Sequence, residues 1–168
     1  ILQNCPEAHI KVAGISVLGI NGIKSRIKIP AYGKYLRRLI LENRLEGKVR
    51  VLGNLSAEEM KREYLSAQIF VCPSAVENSP NSVAEGQLLG VPVAASRTGG
   101  IPDVVKDDVS GLLFEKGNVH ELAACVSRIL TDKQLAKELS ASERETAAKL
   151  YNGENNYQKL IEIYQSIE

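Results

Sequence analysis

The chain has 168 residues, of which 44% are hydrophobic, and its 21 Lys and Arg balance 20 Asp and Glu to a formal net charge of +1. This length is enough for one sizeable core, so we expect a single domain over residues 1–168. The near-neutral charge provides no overall field that would attract nucleic acid, which we do not expect as a partner. No apolar run reaches the ~20 residues that cross a bilayer. Cysteines at positions 5, 72 and 125 have no paired spacing, which favours a reducing, cytoplasmic location.

Short apolar runs alternate with amphipathic stretches in the first third of the chain, as in parallel strands joined by crossover helices. Strands are predicted at residues 10–13 and 49–52. Between them Leu36 and Ile40 lie on one face of a predicted helix. The region 14–33 is typical of either a loop or a twisted hairpin.

The middle of the chain continues this alternation. Ser56 and Glu59 have the spacing of a capping box, which predicts where the second helix begins, with Tyr64 among its packing residues. Further strands are predicted at residues 69–72 and 93–95. A short edge element is predicted at 111–114.

The last part of the chain is predicted to be helical. Asn118 and Glu121 repeat the capping signature, and residues 132–150 are rich in good helix formers. Asn152 and Gly153 interrupt the pattern before a final helix. The predicted fold class is therefore α/β, a Rossmann-like parallel sheet flanked by helices.

The segment 71–93 combines a strand, a turn, a helix, a second turn and another strand. Ligands of open parallel sheets bind outside the carboxyl ends of the strands, which is where residues 73–79 are expected. Pro80 disfavours a helical conformation at Ser79 and suits a first helical turn, so the helix is predicted to begin there and to end near Gly90.

The start of this helix is a candidate phosphate site. The free backbone N–H groups of Asn81 and Ser82, at the positive end of the helix dipole, suit an anion. Glu85, between one and two turns into the helix, could accept hydrogen bonds from the vicinal hydroxyls of a ribose, with Glu77 near the group that the phosphate carries. By spacing alone, two such glutamates are more often solvated or dipole partners than a site.

A second loop, residues 96–103, follows the strand 93–95 and opens onto the same predicted edge. Gly99 and Gly100 allow close backbone approach, either to a ligand or within a tight turn. Two such loops at one edge favour a ligand.

Six short motifs occur in order between about residues 45 and 130. They are Val51-Leu-Gly53, Pro73-Ser74, the pair Glu77 and Glu85, Gly90-Val-Pro-Val93, Gly99-Gly-Ile-Pro102 and Gly111-Leu-Leu113. Together they resemble the C-terminal, donor-binding domain of the retaining GT-B glycosyltransferases that include glycogen synthases, sucrose synthases and bacterial mannosyltransferases. In this resemblance the first strand of the domain is missing.

The resemblance implies a role for each matching residue. Glu85 would bind the ribose of a nucleotide-diphosphate sugar, UDP- or GDP-linked, and Glu77 would lie against the donor sugar as the catalytic residue. Backbone groups near Gly53 and Asn54 would border the base. Gly99, Gly100 and Ile101 would line the sugar side of the cleft.

The resemblance also implies retention of the anomeric configuration, with no cofactor and no essential metal. Helix amides and a basic pair stabilise the leaving diphosphate in that family. That pair lies upstream of the matching residues, as does the N-terminal domain that binds a glycan or lipid-linked acceptor and would make a peripheral membrane contact. We therefore expect this chain to bind the donor but hardly to turn it over.

Two residues depart from the family pattern. Asn78-Ser-Pro80 replaces a common Gly-Phe-Gly, and because proline has no N–H, some amide contacts would shift to Asn81 and Ser82. Asp103 replaces a usual Glu and is given no catalytic role.

Two alternatives remain open from the sequence. A sugar-nucleotide epimerase of this architecture would need further acids or a histidine at the sugar, and His9 and His120 are poorly placed for this. A non-catalytic nucleotide-binding or scaffold module would keep the fold without the chemistry.

Overall fold

The computed structural model describes residues 1–14 and 31–167. The loop-or-hairpin prediction for the region 14–33 falls outside the described residues except at its ends. The described elements run in the order β1 (Ile10–Ala13), α1 (Ala31–Glu42), β2 (Val49–Gly53), α2 (Ala57–Ser66), β3 (Phe70–Cys72), α3 (Asn81–Leu89), β4 (Val93–Ser96), α4 (Ile101–Val104), β5 (Leu112–Phe114), α5 (Val119–Thr131), α6 (Lys133–Leu150) and α7 (Gly153–Gln165).

The chain divides into two compact units. The smaller unit consists mainly of Pro6–Glu63 and the larger unit mainly of Tyr64–Glu168. In the smaller unit β1 pairs with β2 in parallel, with Ile10 opposite Val49. Both strands lie where the apolar runs of the sequence predict them.

The larger unit contains a three-stranded sheet in the order β3-β4-β5. Both pairings are parallel, with Phe70 opposite Val93 and Ala94 opposite Leu112. The predicted parallel sheet is therefore confirmed, and β5 is an edge strand of it as expected. Because all three strands run the same way, the loops that follow β3 and β4 leave from one edge.

Both faces of this sheet are covered by core side chains. Val93 and Ala95 of β4 point to one face and Ala94 to the other, as the alternation of a strand requires, and all three are fully buried. One cluster contains Cys72, Val83, Val93, Ala95, Ile101, Val105 and Leu113. The other contains Ala94, Leu112, Phe114, Val126, Ile129 and Leu139.

The capping signatures mark helix starts as predicted. The backbone N–H of Ser56 donates to Glu59 Oε2 at 2.8 Å, and Ser56 Oγ accepts from the N–H of Glu59 at 3.3 Å. The side chain of Asn118 accepts from the N–H groups of His120 and Glu121 at the start of α5. These bonds satisfy amides that a helix would otherwise leave unpaired.

Helix α3 begins one residue later than predicted. Pro80 is its N-cap, with an extended ψ of 114°, and the first helical residue is Asn81. The carbonyl of Pro80 still accepts the first bonds of the helix, from Val83 N–H at 3.0 Å and Ala84 N–H at 3.4 Å. The predicted end is confirmed, since Gly90 caps the helix in the left-handed conformation.

None of the helices in the two described ranges has both the length and the apolar character needed to cross a membrane.

Candidate functional site

The loops that follow β3 and β4 are hydrogen-bonded to each other at the carboxyl edge of the sheet. Ser96 Oγ donates to the carbonyl of Ser74 at 2.6 Å. The N–H of Gly100 donates to the carbonyl of Asn78 at 2.9 Å. The prediction that both loops open onto one edge is therefore confirmed.

Gly99 and Gly100 are needed for the contact between these loops. A Cβ on Gly99 would lie 1.6 Å from the carbonyl oxygen of Glu77, and one on Gly100 would lie 2.2 Å from that of Asn78. Gly99 also has a φ of 53°, which favours glycine. The backbone at Gly99 and Gly100 therefore packs directly against the main chain of residues 77–78. The two glycines allow the loop that carries Glu77 to lie in this position.

The carboxylate of Glu77 is held from within its own loop. Ser74 Oγ donates to Glu77 Oε1 at 2.8 Å, and Cys72 Sγ lies 3.6 Å from the same hydroxyl. Ser74 is itself fixed through its carbonyl by Ser96. Because Glu77 is only half-buried, its other oxygen can accept a further hydrogen bond.

The first turn of α3, which follows the loop of Glu77, has two unpaired amides. Within the described residues, the N–H groups of Asn81 and Ser82 donate to no partner, whereas those of Val83 and Ala84 reach Pro80. Asn81 is exposed and Ser82 is half-buried. Free amides at the positive end of a helix dipole attract an anion, and a phosphate contact at these two positions stays a prediction.

Glu85 lies one turn further along α3 and is exposed. The hydroxyl of Tyr64, a residue that is 3% exposed, donates to the carbonyl of Ser82 on the same helix at 3.0 Å. Burial raises the pKa of Tyr64 above its ordinary value, and the negative charge of Glu85 raises it further. The sequence predicts Tyr64 only as a packing residue, although a buried tyrosine needs a partner for its hydroxyl.

The two residues predicted to contact the base, Gly53 and Asn54, lie in the smaller unit. Gly53 ends β2 with a φ of 76° and is buried, while Asn54 is exposed. Asn54 lies on the wall of a hollow of about 330 Å³. The other lining residues of this hollow are Ala13, Gly14, Leu55 and Met60.

Ile101 is placed differently from the prediction that it lines the sugar side of a cleft. Its side chain is fully buried in the core, in the cluster that includes Val83 and Val105. Its N–H donates to the carbonyl of Thr98 at 3.1 Å. The apolar side chain gains more from the core than from a polar ligand. The backbone carbonyl of Ile101 accepts from the N–H of Val105 at 2.9 Å.

Neither histidine stands out as a ligand or a base. His9 precedes β1 and His120 lies in the first turn of α5, and both are exposed. In residues 1–14 and 31–167, no three His, Cys, Asp or Glu side chains lie close enough together to hold a metal ion.

Known proteins share both sequence and fold with this chain. Residues 2–146 match the family described as glycosyl transferases group 1. The sulfoquinovosyl transferase SQD2 of Arabidopsis thaliana is 33% identical over 100 residues, which cover 58% of this chain and 20% of that protein. Among the curated relatives compared, this chain spans between 19% and 46% of their length.

Solved structures show the same architecture. HepE of Anabaena, crystallised with UDP, superposes with a TM-score of 0.80 at 22% identity, over 96% of this chain and 42% of that one. The C-terminal domain of a group 1 glycosyl transferase, LpcC of Francisella tularensis, has a TM-score of 0.68 at 16% identity, over 89% of this chain and 90% of that one. With the family match over most of its length, this chain belongs to the glycosyl transferases group 1, and its fold is that of the Rossmann-like C-terminal domain of a GT-B glycosyltransferase.

Proposed function

We propose that this chain is the donor-binding domain of a retaining glycosyltransferase. The enzyme would transfer a hexose from a nucleotide-diphosphate sugar to a glycan or lipid-linked acceptor. One observation carries the proposal: the first turn of α3, between Glu77 and Glu85 in the chain, has free amides, and the loop that carries Glu77 packs on Gly99 and Gly100.

Each group has a role in this proposal. The N–H groups of Asn81 and Ser82 hold the diphosphate, and Glu85 accepts hydrogen bonds from the ribose hydroxyls. Glu77 contacts the donor sugar through the carboxylate oxygen that Ser74 does not bind. Gly53 and Asn54 stay predicted contacts of the base.

The proposed mechanism is electrostatic. As the bond between the anomeric carbon and the diphosphate breaks, negative charge grows on the leaving oxygen, and preoriented amides stabilise it without reorganising. The acceptor hydroxyl attacks the anomeric carbon from the face that the diphosphate leaves and passes its proton to the leaving diphosphate oxygen, so the configuration is retained. A carboxylate held by Ser74 suits contact with a sugar on which positive charge develops.

A uridine nucleotide is the first donor to test. The structural neighbour HepE was crystallised with UDP and with UDP-glucose, at 22% and 20% identity to this chain. A guanosine nucleotide is the second. The acceptor, a peripheral membrane contact and a cytoplasmic location belong to the proposal for the whole enzyme, in which a second domain binds the acceptor.

Replacement of Glu85 by Ala is expected to weaken nucleotide binding by about 1–3 kcal/mol, because two ribose hydroxyls lose their charged acceptor. The measurement is isothermal titration of this chain with UDP, GDP and ADP, followed by the variant with the tightest of the three. Glu162→Ala, which removes an exposed glutamate from α7, is the matched control and should bind like the unmodified chain.

The alternatives give different outcomes in the same titration. An equal affinity in the Glu85→Ala variant would contradict the ribose contact and favour a scaffold module. Failure of the unmodified chain to bind any of the three nucleotides would contradict the proposed function as a whole.

A further inference from the structure

Ser96, the last residue of β4, is hydrogen-bonded to the loop that follows β3. Its side chain is fully buried, and its Oγ donates to the carbonyl of Ser74 at 2.6 Å. The hydroxyl of Ser74 in turn donates to Glu77 Oε1 at 2.8 Å. Two hydrogen bonds therefore connect a buried hydroxyl on β4 to the carboxylate that would contact the donor sugar.

The main chain on both sides of Glu77 is attached to β4 and the loop after it. On one side Ser96 binds the carbonyl of Ser74. On the other side the N–H of Gly100 donates to the carbonyl of Asn78 at 2.9 Å. Because both ends of this segment are attached, the side-chain torsions of Glu77 are what remains to be ordered, and the hydroxyl of Ser74 restricts them.

The direction of the hydrogen bonds at Ser74 can be assigned from its single hydroxyl proton. That proton goes to the Glu77 carboxylate, which can only accept. Cys72 Sγ lies 3.6 Å from the same hydroxyl, so the thiol of Cys72 is the donor in that contact. Ser74 Oγ thus accepts from a buried thiol while it donates to Glu77.

We propose that Ser74 and Ser96 are positioning residues of the donor site: they hold the Glu77 carboxylate with one oxygen bound and leave the other for a hydroxyl of the donor sugar. This inference rests on the proposed function. It deepens that function by assigning recognition of the sugar, as distinct from the nucleotide, to two serine hydroxyls. Ser96 lies outside the six motifs of the sequence.

The physical reason is the freedom of a half-buried glutamate. Glu77 has three rotatable side-chain bonds, and ordering them when a ligand binds costs conformational entropy. A hydrogen bond from Ser74 restricts those bonds before the ligand arrives. Ser74 is itself restrained through its carbonyl by the buried Ser96, so the restraint reaches the carboxylate from the sheet.

The decisive variant is Ser74→Ala, which removes one hydroxyl and keeps Glu77. Isothermal titration measures its affinity for UDP-glucose and for UDP, with GDP-mannose and GDP or ADP-glucose and ADP used if the unmodified chain binds that pair more tightly. In the proposal Ser74 acts on Glu77, and Glu77 contacts only the sugar. We therefore expect about a tenfold loss for the nucleotide sugar and a change within about twofold for the free nucleotide.

Three further variants show whether the hydroxyls are responsible. Ser96→Ala is expected to give a smaller loss of the same kind, about threefold for the nucleotide sugar, because it acts through Ser74. Ser74→Thr keeps the hydroxyl and should bind both ligands like the unmodified chain. Ser166→Ala is the matched control, since it removes an exposed hydroxyl that is bonded only within the end of α7, and it should also bind normally.

A merely structural role for Ser74 would weaken both ligands equally in Ser74→Ala, and that result would overturn the proposal, as would unchanged affinities for both. In a double-mutant cycle, Ser74→Ala should have little further effect in a Glu77→Ala background, whereas additive losses would overturn it. Circular dichroism checks the folding of each variant. If Ser74→Ala does not fold, Ser74→Cys supplies a weaker donor of similar size, and normal binding of the nucleotide sugar by that variant would overturn the proposal.

The same titrations separate this inference from the function on which it rests. If Glu77→Ala binds the nucleotide sugar normally, the sugar contact of Glu77 is wrong and the role of the two serines is overturned with it. If Glu77→Ala selectively loses the nucleotide sugar and Ser74→Ala does not, only the role of the serines is overturned. Normal binding by Ser96→Ala would overturn the part that concerns Ser96.

Discussion

Replacement of Gly99 by Ala is expected to abolish nucleotide binding and to lower the free energy of unfolding by about 3 kcal/mol or more. The new methyl group would lie 1.6 Å from the carbonyl oxygen of Glu77, a distance that no relaxation of side chains can accommodate. The backbone at this position also has a φ of 53°, which costs a non-glycine residue roughly 1–2 kcal/mol. The loop that carries Glu77 must therefore move away from the sheet edge.

Two control variants separate the collision from the backbone strain. Gly117 has a similar positive φ of 79° but no atom within 4 Å of its would-be Cβ, so Gly117→Ala should show the strain alone and retain binding. Gly100 has a φ of −82°, ordinary for any residue, and its would-be Cβ lies 2.2 Å from the carbonyl oxygen of Asn78. Gly100→Ala should therefore show the collision alone.

Urea unfolding and titration with the best-binding nucleotide measure both effects. If Gly99→Ala behaves like Gly117→Ala in both measurements, the contact between the two loops does not hold the site together. If Gly100→Ala binds normally, the position of the loop at Glu77 and Asn78 is not important for binding.

The second large effect concerns Glu143, a fully buried carboxyl group on α6. Its Oε1 accepts from the N–H of Val93 at 2.8 Å, and its Oε2 is buried without a partner among the described residues. Burial raises the pKa of Glu143 from 4.5 to about 8, although the hydrogen bond from Val93 opposes this shift. The folded protein therefore contains this group in its protonated form at neutral pH.

The stability of the larger unit is expected to fall as the pH rises from about 5 to about 8. In this interval the unfolded chain has released the proton of Glu143 while the folded chain still holds it, so stability is lost by up to about 1.4 kcal/mol for each pH unit. Above the folded pKa the loss is complete. Below 4.5 both states are protonated and the full contribution is present.

Glu143→Gln removes this titration while keeping an acceptor for Val93. The difference in unfolding free energy between the unmodified chain and the variant, measured by urea unfolding at several pH values, should decrease from pH 5 to pH 8. Glu145→Gln is the control from the same helix, since Glu145 is exposed and pairs with Lys149. A difference for Glu143→Gln that does not change with pH would show that its carboxyl group is charged in the folded protein.

Much of the local structure follows from short stretches of sequence. The capping box at Ser56 and Glu59 and the cap at Asn118 depend on residues two or three apart, so they can be read directly. The extended Pro80 and the left-handed Gly90 likewise mark the two ends of α3, although the helix begins one residue later than the sequence predicts. Parallel strands follow from the alternation of apolar runs and helices.

The candidate site is partly predictable for the same reason. Once β3 and β4 are known to be parallel, their following loops must share an edge, and the start of α3 must face it. The family motifs then single out Glu77 and Glu85. The functional roles of these residues, and the single domain expected over residues 1–168, stay predictions.

Contacts between distant residues are decided only by the tertiary structure. The partner of Glu143 is 50 residues away in the sequence, and that of the Tyr64 hydroxyl is 18 residues away. Helical periodicity shows which face is buried, but it does not show which backbone group will meet a polar side chain there. The sequence shows that Gly99 can adopt backbone conformations that other residues avoid. Only the packing of the two loops shows that the carbonyl of Glu77 requires a glycine at this position.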